Sequence, residues 1–399
     1  MERGLSYRPT PKPSVAGNHN LGRIRQLGLW ILLFGGPLVS ATMALFMGNS
    51  SYNCKRASPN HSPIGQASSR CHPARDVGGP GHQTPRLDVA KLDRASQKYF
   101  SKGLADSTQR TYSSGQRRYL RFCRESGVQA VPASERSCCL FATYLAEEGL
   151  THKTIKVYLA GVRFLHIAES QPDPFASVLH RLEYTLRGIK RCEAAKCQGK
   201  RERLPMSPLL LRKMKAVWDS SPGGHDTVML WAACCLAFFG FLRIGEMSVP
   251  SDDKFDPSCH LIVSDIAIDN PKLPTVVRVT IKQSKTDPFR RGVDLFLGKM
   301  DSDLCPVQAI LSYLRLRGRA EGSLFKFKDG RMLTRLRFVE AIRAALSAAG
   351  VDESKYNGHS FRIGAATTAA AKGFEDSAIK TLGRWRSVAY LDYIRTPRN

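Results

Sequence analysis

Hydrophobic side chains recur every three or four positions across residues 91–205, which is the spacing of one buried helix face. Four segments with this period follow one another, and short polar links separate them. Ser134 and Thr151 stand where two segments begin, and Gly127 and Gly149 stand where two segments end, as capping residues commonly do. The pattern predicts a small bundle of four amphipathic helices in this part of the chain.

The pattern changes after Pro205. Residues 228–241 are almost entirely apolar, a run that is too long for a strand and predicts a buried helix. Residues 275–282 alternate apolar and polar side chains, and residues 293–297 are predicted to return as the second strand of a hairpin. Because further helical patterns surround this hairpin, residues 207–399 are predicted to form a mixed α+β domain that is mostly α with a small β-sheet.

Residues 1–90 are interpreted as a low-complexity region, and the part from 48 to 90 as a disordered linker. Residues 27–47 hold no charged side chain over 21 positions, which is long enough to cross a bilayer, and basic residues precede them. A Gly-Gly-Pro sequence interrupts this run. The run is interpreted as a signal anchor or as read-through from outside the functional gene, so membrane association stays open.

The net charge is +26, with +7 on residues 1–90, +10 on residues 91–206 and +9 on residues 207–399. A basic surface on two folded regions favours a polyanionic partner, with DNA or RNA first. For any one helix, basic side chains on a solvent-exposed face are the simpler interpretation. An excess of Lys and Arg across the whole bundle and at the hairpin tip instead predicts contacts with phosphates. The predicted contact residues are Arg117, Arg118, Arg121, Lys153, Lys156, Arg290 and Arg291.

The eleven cysteines include adjacent pairs at positions 138–139 and 234–235, inside apolar helical patterns. Such positions are typical of buried thiols in a reducing compartment and argue against a disulfide framework. Two cysteines and two histidines between residues 54 and 72 are spaced too loosely for a zinc site. No metal site is predicted.

Residues that carry chemistry concentrate near the end of the chain. His359 and Arg362 share one face of a predicted helix, whose first turn would offer an imidazole, a guanidinium and free backbone N–H groups to a phosphate. A pair of this kind alone is more often an ordinary helix surface. Arg243 directly follows the buried apolar run and needs an anionic partner. Glu246 could supply that partner in a structural ion pair.

Five motifs occur in a characteristic order: Arg243 in GFLRIGE, a lysine on a β-hairpin, His359-x-x-Arg362, Gly-Arg-Trp at 383–385, and a final tyrosine in YIR. In this order they resemble the tyrosine recombinase (phage integrase) family. The segments HSFRIGAATTAA, LGRWRS and YIR together look most like the DIRS-type retrotransposon and Crypton-type recombinases of eukaryotes. The resemblance covers about residues 92–399.

The resemblance implies a DNA breaking-rejoining enzyme with a core-binding, SAM-like bundle in residues 91–195. A basic linker at 196–206 and a catalytic domain at 207–399 would follow. It further implies a mobile-element origin, a nuclear location and a multimer on double-stranded DNA. No cofactor is expected, because a 3′-phosphotyrosine intermediate preserves the energy of the broken bond.

The resemblance also assigns roles to residues. Arg243 and Arg362 would hold the phosphate through their planar guanidinium groups. Lys285 would donate a proton to the leaving 5′-oxygen, with Lys282 as the alternative. His359 would assist proton transfer and orient the phosphate.

Two assignments stay open at the end of the chain. Arg384 lies nine positions before Tyr393 and Trp385 lies eight before it, and either residue fills the position where the family has His or Trp. Tyr393 is the predicted nucleophile and Tyr390 is the alternative, although each could be a tyrosine that packs through its ring. Six residues follow Tyr393, where family members commonly carry a helix that docks on a neighbouring subunit. Less efficient synapsis is therefore expected.

Two other functions fit the same motifs. One is a domesticated DNA-binding protein that keeps the fold and has lost catalysis. The other is a type IB topoisomerase, which uses similar Arg, Lys, His and Tyr chemistry without a multimer. Such topoisomerases tend to be longer, and the YIR context favours a recombinase.

Overall fold

The computed structural model describes residues 87–196, 203–220, 224–318 and 320–395. These residues belong to two compact units, one within 87–196 and the other within 203–395. The run at 27–47 and the cysteines and histidines between 54 and 72 lie outside the described residues. Within the described ranges no helix is long and apolar enough to cross a membrane.

The first unit contains five helices among its described residues. They are α1 (Val89–Ser101), α2 (Asp106–Ser126), α3 (Glu135–Glu147), α4 (His152–Ala168) and α5 (His180–Lys196). The sequence pattern predicted the last four and missed α1, whose residues are not buried among the described ones although its apolar side chains recur with helical spacing. Val178 has the apolar spacing of the fourth predicted helix, but it precedes α5 and its side chain is exposed.

Local capping explains several of the helix ends in the bundle. Ser134 and Ser137 form a reciprocal capping box at the start of α3, and the Thr151 side chain accepts the Thr154 N–H at the start of α4. Gly127 ends α2 in the left-handed conformation, with φ of 65°. The sequence Asp106-Ser107-Thr108 is typical of a helix cap, but the N-cap of α2 is Ala105, which makes no side-chain hydrogen bond.

The bundle core lies between α2, α3, α4 and α5, and includes Tyr119, Phe141 and Ile155, all fully buried. Helices α2 and α4 approach closely, since a Cβ at Gly115 would lie 2.9 Å from the Tyr158 Cα atom. The buried His166 ring fastens the loop before α3 to α4. Its Nε2 accepts the Ala133 N–H at 2.8 Å, and its Nδ1 lies 2.8 Å from the Val162 carbonyl oxygen.

The described part of the second unit holds six α-helices and three strands. The helices are α6 (Pro208–Asp219), α7 (Gly224–Phe239), α8 (Pro306–Arg317), α9 (Arg335–Ala348), α10 (Gly358–Ala371) and α11 (Asp376–Gly383). The strands are β1 (Ile266–Ile268), β2 (Val276–Ile281) and β3 (Val293–Gly298), and they form one antiparallel sheet in the order β1-β2-β3. The sequence predicted β2 and β3, whereas β1 is too short at three residues to show a period.

Helix α7 is the centre of this unit. All but one of its last eleven residues are buried, and it packs against α6, α8 and α10. Burial on all sides explains why the sequence there shows no polar face. Phe241 follows the end of α7 and has a positive φ of 48°. The chain turns at this residue, and the turn places Arg243 beside the core.

The predicted fold class is confirmed. A helical bundle precedes a mostly helical unit with one small antiparallel sheet, as the sequence pattern predicts. The exact domain boundaries proposed from the sequence stay predictions.

Candidate active site

Glu246 holds two arginines at once. Its Oε1 lies 2.9 Å from Nη1 of Arg243, and its Oε2 lies 2.6 Å from Nη2 of Arg384. The Glu246 side chain is 3% exposed, and those of Arg243 and Arg384 are 18% and 12% exposed. The ion pair considered for Arg243 is therefore present, but a second arginine shares the same carboxylate.

Arg384 reaches this carboxylate because the chain reverses at the end of α11. Arg384 adopts the left-handed conformation with φ of 56° and ψ of 37°, which is uncommon for a residue other than glycine. Its Nη1 also donates to the Gly240 carbonyl oxygen at 3.0 Å. Gly383 is required beside it, since a Cβ there would lie 1.6 Å from the Trp385 ring.

Arg362 lies on α10, whose first turn is capped by the Asn357 side chain, the acceptor of the His359 N–H at 2.9 Å. The Arg362 side chain is fully buried and donates to the carbonyl oxygens of Phe241 and Gly383. The loops that follow α7 and α11 thus meet at one guanidinium.

Two aromatic rings cover the Arg362 guanidinium. Its central carbon lies 4.2 Å from the Trp385 ring centroid and 5.5 Å from the Tyr393 ring centroid. Both distances are within the range of cation–π contacts. The centroids of the two rings are 5.0 Å apart. A ligand can reach Arg362 only after one of the groups around it moves.

Positive charge is in surplus in this cluster, because three guanidinium groups face one carboxylate. Burial, together with Arg243 and Arg384, lowers the pKa of Arg362 to about 9, which leaves it protonated at neutral pH. Burial also lowers the pKa of Arg384. The buried Nε atoms of Arg362 and Arg384 have no hydrogen-bond partner among the described residues. Unpartnered donors and excess positive charge make this a favourable site for an anion.

His359 borders the cluster and is half-buried. Burial lowers the pKa of its imidazole, and the positive charges of Arg203, Arg335, Arg362 and Arg243 lower it further. The ring is therefore neutral at pH 7 and can accept a proton. The His359 and Tyr393 ring centroids are 6.3 Å apart.

Tyr390 and Tyr393 lie on one 3₁₀ helix, Val388–Tyr393, but contact different partners. The Tyr390 side chain is buried, and its hydroxyl donates to Oδ2 of Asp376 at 2.6 Å. Tyr393 instead lies against Arg362, Trp385 and His359. The backbone carbonyl of Tyr393 accepts the Thr367 hydroxyl at 3.2 Å, which fastens this segment to α10.

The two lysines differ in their partners. Lys282 Nζ lies 2.7 Å from Oδ2 of Asp265 and donates to the Pro257 carbonyl oxygen at 2.6 Å. Lys285 is exposed in the turn between β2 and β3, and no ion pair joins it to another described residue. The described contacts bring Arg243, Arg362, Arg384, Trp385, His359 and Tyr393 together. They do not include Lys285.

The basic residues predicted to contact DNA fall into two groups. Arg118 pairs with Glu148 at 3.0 Å, and Arg121 pairs with Glu125 at 2.8 Å. The others are exposed and have no ion pair with a described residue. They are Arg117, Lys153 and Lys156 on the bundle, and Arg290 and Arg291 on the hairpin.

Sequence reasoning missed three features of the site: the Glu246–Arg384 ion pair, the steric need for Gly383, and the Thr367 anchor. The acidic residue in GFLRIGE was a signal for the first, because one buried carboxylate can accept from two arginines. Nothing in the Ala-rich α10 sequence pointed to Thr367. In the described ranges no group of three or more His, Cys, Asp or Glu side chains is arranged to hold a metal ion.

Known proteins resemble this chain at low identity, and no protein-family model matches it. A relative from Selenomonas ruminantium, described as an integrase/recombinase xerD homolog, is 22% identical over 317 residues, which span 74% of this chain and 83% of the relative. The structure of XerH site-specific recombinase bound to a palindromic difH substrate is similar with a TM-score of 0.51 and 15% identity, over 71% of this chain and 75% of that one.

A lambda integrase dimer bound to a COC′ core site is also similar, with 17% identity, a TM-score of 0.48, and coverage of 76% of this chain and 94% of that one. The similarity to XerH shows that the two proteins share a fold. Together with the xerD homolog it supports the tyrosine recombinase/integrase family to which the motifs point. None of these relatives distinguishes a DIRS-type or Crypton-type origin.

Proposed function

We propose that this chain is a tyrosine recombinase that breaks and rejoins duplex DNA through a 3′-phosphotyrosine intermediate. The observation that carries the proposal is the buried cluster of three guanidinium groups around one carboxylate, with the Tyr393 ring packed on it. A phosphodiester supplies the missing negative charge, and the phenol beside it supplies a nucleophile.

Arg243 and Arg362 stabilise the phosphoryl oxygens as negative charge develops on them. Arg243 uses only its Nη1 for Glu246, and its other guanidinium nitrogens have no acceptor among the described side chains. They remain free to donate to a phosphate. Arg362 becomes accessible when Tyr393 or Trp385 moves, which couples access to the phosphate with movement of the nucleophile.

The proton transfers balance without a cofactor. The Tyr393 oxygen bonds to phosphorus as its proton passes towards the neutral His359 imidazole. The bond from phosphorus to the 5′-oxygen breaks, and Lys285 gives that oxygen a proton. We favour Lys285 over Lys282 because Lys282 is already engaged by Asp265 and the Pro257 carbonyl oxygen.

Trp385 is the better candidate for the position where the family has His or Trp. Its ring packs on both Arg362 and Tyr393, so it orients the two groups that meet the phosphate. Arg384 binds Glu246 and the Gly240 carbonyl oxygen instead, which gives it a supporting role.

We further propose that residues 91–195 clamp DNA, that 196–206 link them to a catalytic domain at 207–399, and that the chain acts as a multimer on double-stranded DNA. A mobile-element origin and a nuclear location fit the same function. Affinity for duplex DNA should fall steeply with salt, because each neutralised phosphate releases counterions. The N-terminal 90 residues are expected to be dispensable for this binding.

A suicide-substrate assay tests the proposal. Nicked duplexes with randomised sequence around the nick are incubated with the full chain, and covalent protein–DNA adducts are resolved under denaturing conditions. The unaltered chain should form an adduct, whereas Tyr393→Phe should bind DNA and form none. If the unaltered chain binds DNA and forms no adduct, the result favours a DNA-binding protein that has lost catalysis. Relaxation of supercoiled plasmid by the monomer would favour the type IB topoisomerase.

A further inference from the structure

The turn between β2 and β3 exposes a large aromatic side chain. The Phe289 ring is 79% exposed at the tip of this hairpin, the second most exposed among the large apolar side chains of the described residues. Lys285, Arg290 and Arg291 are exposed on the same turn. The hairpin tip, residues 283–292, thus combines an unburied phenyl ring with three cations.

The hairpin tip is an ordered turn in which hydrogen bonds fix the backbone. The Asp287 N–H donates to the Ser284 carbonyl oxygen at 3.0 Å, and Oδ2 of Asp287 accepts the Gly292 N–H at 2.8 Å. Arg290 and Gly292 both have positive φ, at 51° and 70°. Such a turn could have been closed by a polar residue at position 289, since polar side chains dominate turns. Its phenylalanine therefore needs another explanation.

The charges around Phe289 indicate the chemistry of its partner. Asp287 is the only acidic residue of the tip, and its carboxylate already accepts the Gly292 N–H. The Arg291 guanidinium carbon lies 6.0 Å from the Phe289 ring centroid, so a cation and the ring point to one surface. A partner with an anionic exterior and flat apolar groups between the charges fits this surface. Duplex DNA has both features in its phosphates and bases.

We propose that Phe289 inserts against the bases of duplex DNA while Arg290 and Arg291 contact the flanking phosphates. Apolar side chains that enter a DNA groove beside Arg and Lys partly unstack a base step, and the step that unstacks most easily is preferred. Phe289 would then contribute to the choice of DNA site. This inference rests on the proposed function, because it takes duplex DNA as the ligand.

Two substitutions separate the ring from the charges. Phe289→Ala removes the apolar contact, and Phe289→Leu keeps an apolar side chain at the tip. Leu273→Ala is a matched control, because Leu273 is 63% exposed in the turn between β1 and β2, at the other end of the sheet. All three are made in the full chain, and circular dichroism confirms that each has folded.

Binding to a short duplex with 2-aminopurine at alternate positions of one strand is measured at several salt concentrations. The unaltered chain, Phe289→Leu and Leu273→Ala should each raise the fluorescence, because an unstacked 2-aminopurine emits more strongly. Phe289→Ala should not, and its affinity should fall on the order of tenfold. The dependence of its affinity on salt should stay the same, since no phosphate contact is lost.

The outcomes distinguish the inference from the function it rests on. If the unaltered chain does not bind the duplex at low salt, both fail. If it binds and Phe289→Ala gives the same fluorescence and affinity, only the role of Phe289 fails. A change in oligomeric state with unaltered DNA binding would also overturn it, because Phe289 would then contact another protein chain.

Discussion

Glu246 and Arg384 lie 138 positions apart in the sequence, and their side chains form an ion pair of 2.6 Å. The other oxygen of the same carboxylate binds Arg243. One buried acidic side chain therefore fixes the distance between the loop after α7 and the loop after α11. Arg362 lies between them and donates to the carbonyl oxygens of Phe241, in the first loop, and Gly383, the last residue of α11.

Glu246→Gln should destabilise the protein by about 3–5 kcal/mol, because it leaves two buried guanidinium groups without a negative partner. Urea unfolding followed by circular dichroism measures this change. Glu148→Gln is the matched control, since Glu148 also pairs with an arginine but is 48% exposed. Glu148→Gln should lower the free energy of unfolding by less than about 1 kcal/mol. Equal effects of the two substitutions would contradict the central role of Glu246.

Arg243→Lys should slow DNA cleavage by roughly 10²–10³ with little change in DNA binding, because an ammonium cannot place two parallel N–H groups on a phosphate. Single-turnover adduct formation on nicked duplexes measures the rate. Arg121→Lys is the control, because Arg121 is exposed and already pairs with Glu125. Cleavage by Arg243→Lys at nearly the original rate would reduce Arg243 to a structural partner of Glu246.

Gly383→Ala should displace the Trp385 ring, because the added Cβ would lie 1.6 Å from it. The expected loss is about 1–3 kcal/mol of unfolding free energy, as for other overpacked sites, together with slower adduct formation. Gly188→Ala in α5 is the matched control, since a Cβ there meets no atom within 4 Å. It should be neutral or stabilise by up to about 1 kcal/mol. Full cleavage activity in Gly383→Ala would show that Trp385 need not lie against Arg362.

The His359 imidazole should titrate below its ordinary pKa of 6.5 in the free protein. Since the folded chain disfavours the charged ring, the unfolded chain takes up the proton first as pH falls below 6.5, and stability declines there. His359→Gln should lose this part of the pH dependence. Nuclear magnetic resonance of the ring protons measures the titration directly. Adding duplex DNA should raise the pKa, because a phosphate offsets the nearby arginines, and an unchanged pKa with bound DNA would place the phosphate elsewhere.

Tyr390→Phe should retain covalent adduct formation, because the Tyr390 hydroxyl donates to Asp376 and lies on the side of α11. Asp376→Asn alters the acceptor of the same hydrogen bond, and this variant should also form the adduct. Both substitutions should loosen the 3₁₀ helix, which limited proteolysis can detect. If Tyr390→Phe forms no adduct and Tyr393→Phe still forms one, Tyr390 is the nucleophile and Tyr393 is not.

Much of the fold follows from local patterns. The period of apolar residues located α2 to α5, and Ser134 and Thr151 marked two helix starts through hydrogen bonds made within one turn. The uniformly apolar residues 228–241 predicted the central helix α7, because a helix buried on every side has no polar face. Helix α1 was not predicted although its sequence is amphipathic, and strand β1 was not predicted because three residues show no period.

The sequence by itself also singled out guanidinium, imidazole and phenol side chains, because the proposed phosphate chemistry needs these groups. Only the tertiary structure decided which of them meet. Arg362 is covered by Trp385 and Tyr393, Glu246 is shared by Arg243 and Arg384, and Tyr390 is held by Asp376. These pairings depend on how closely the ends of α7 and α11 approach α10. That approach is set by packing between helices far apart in the sequence, which no local period encodes.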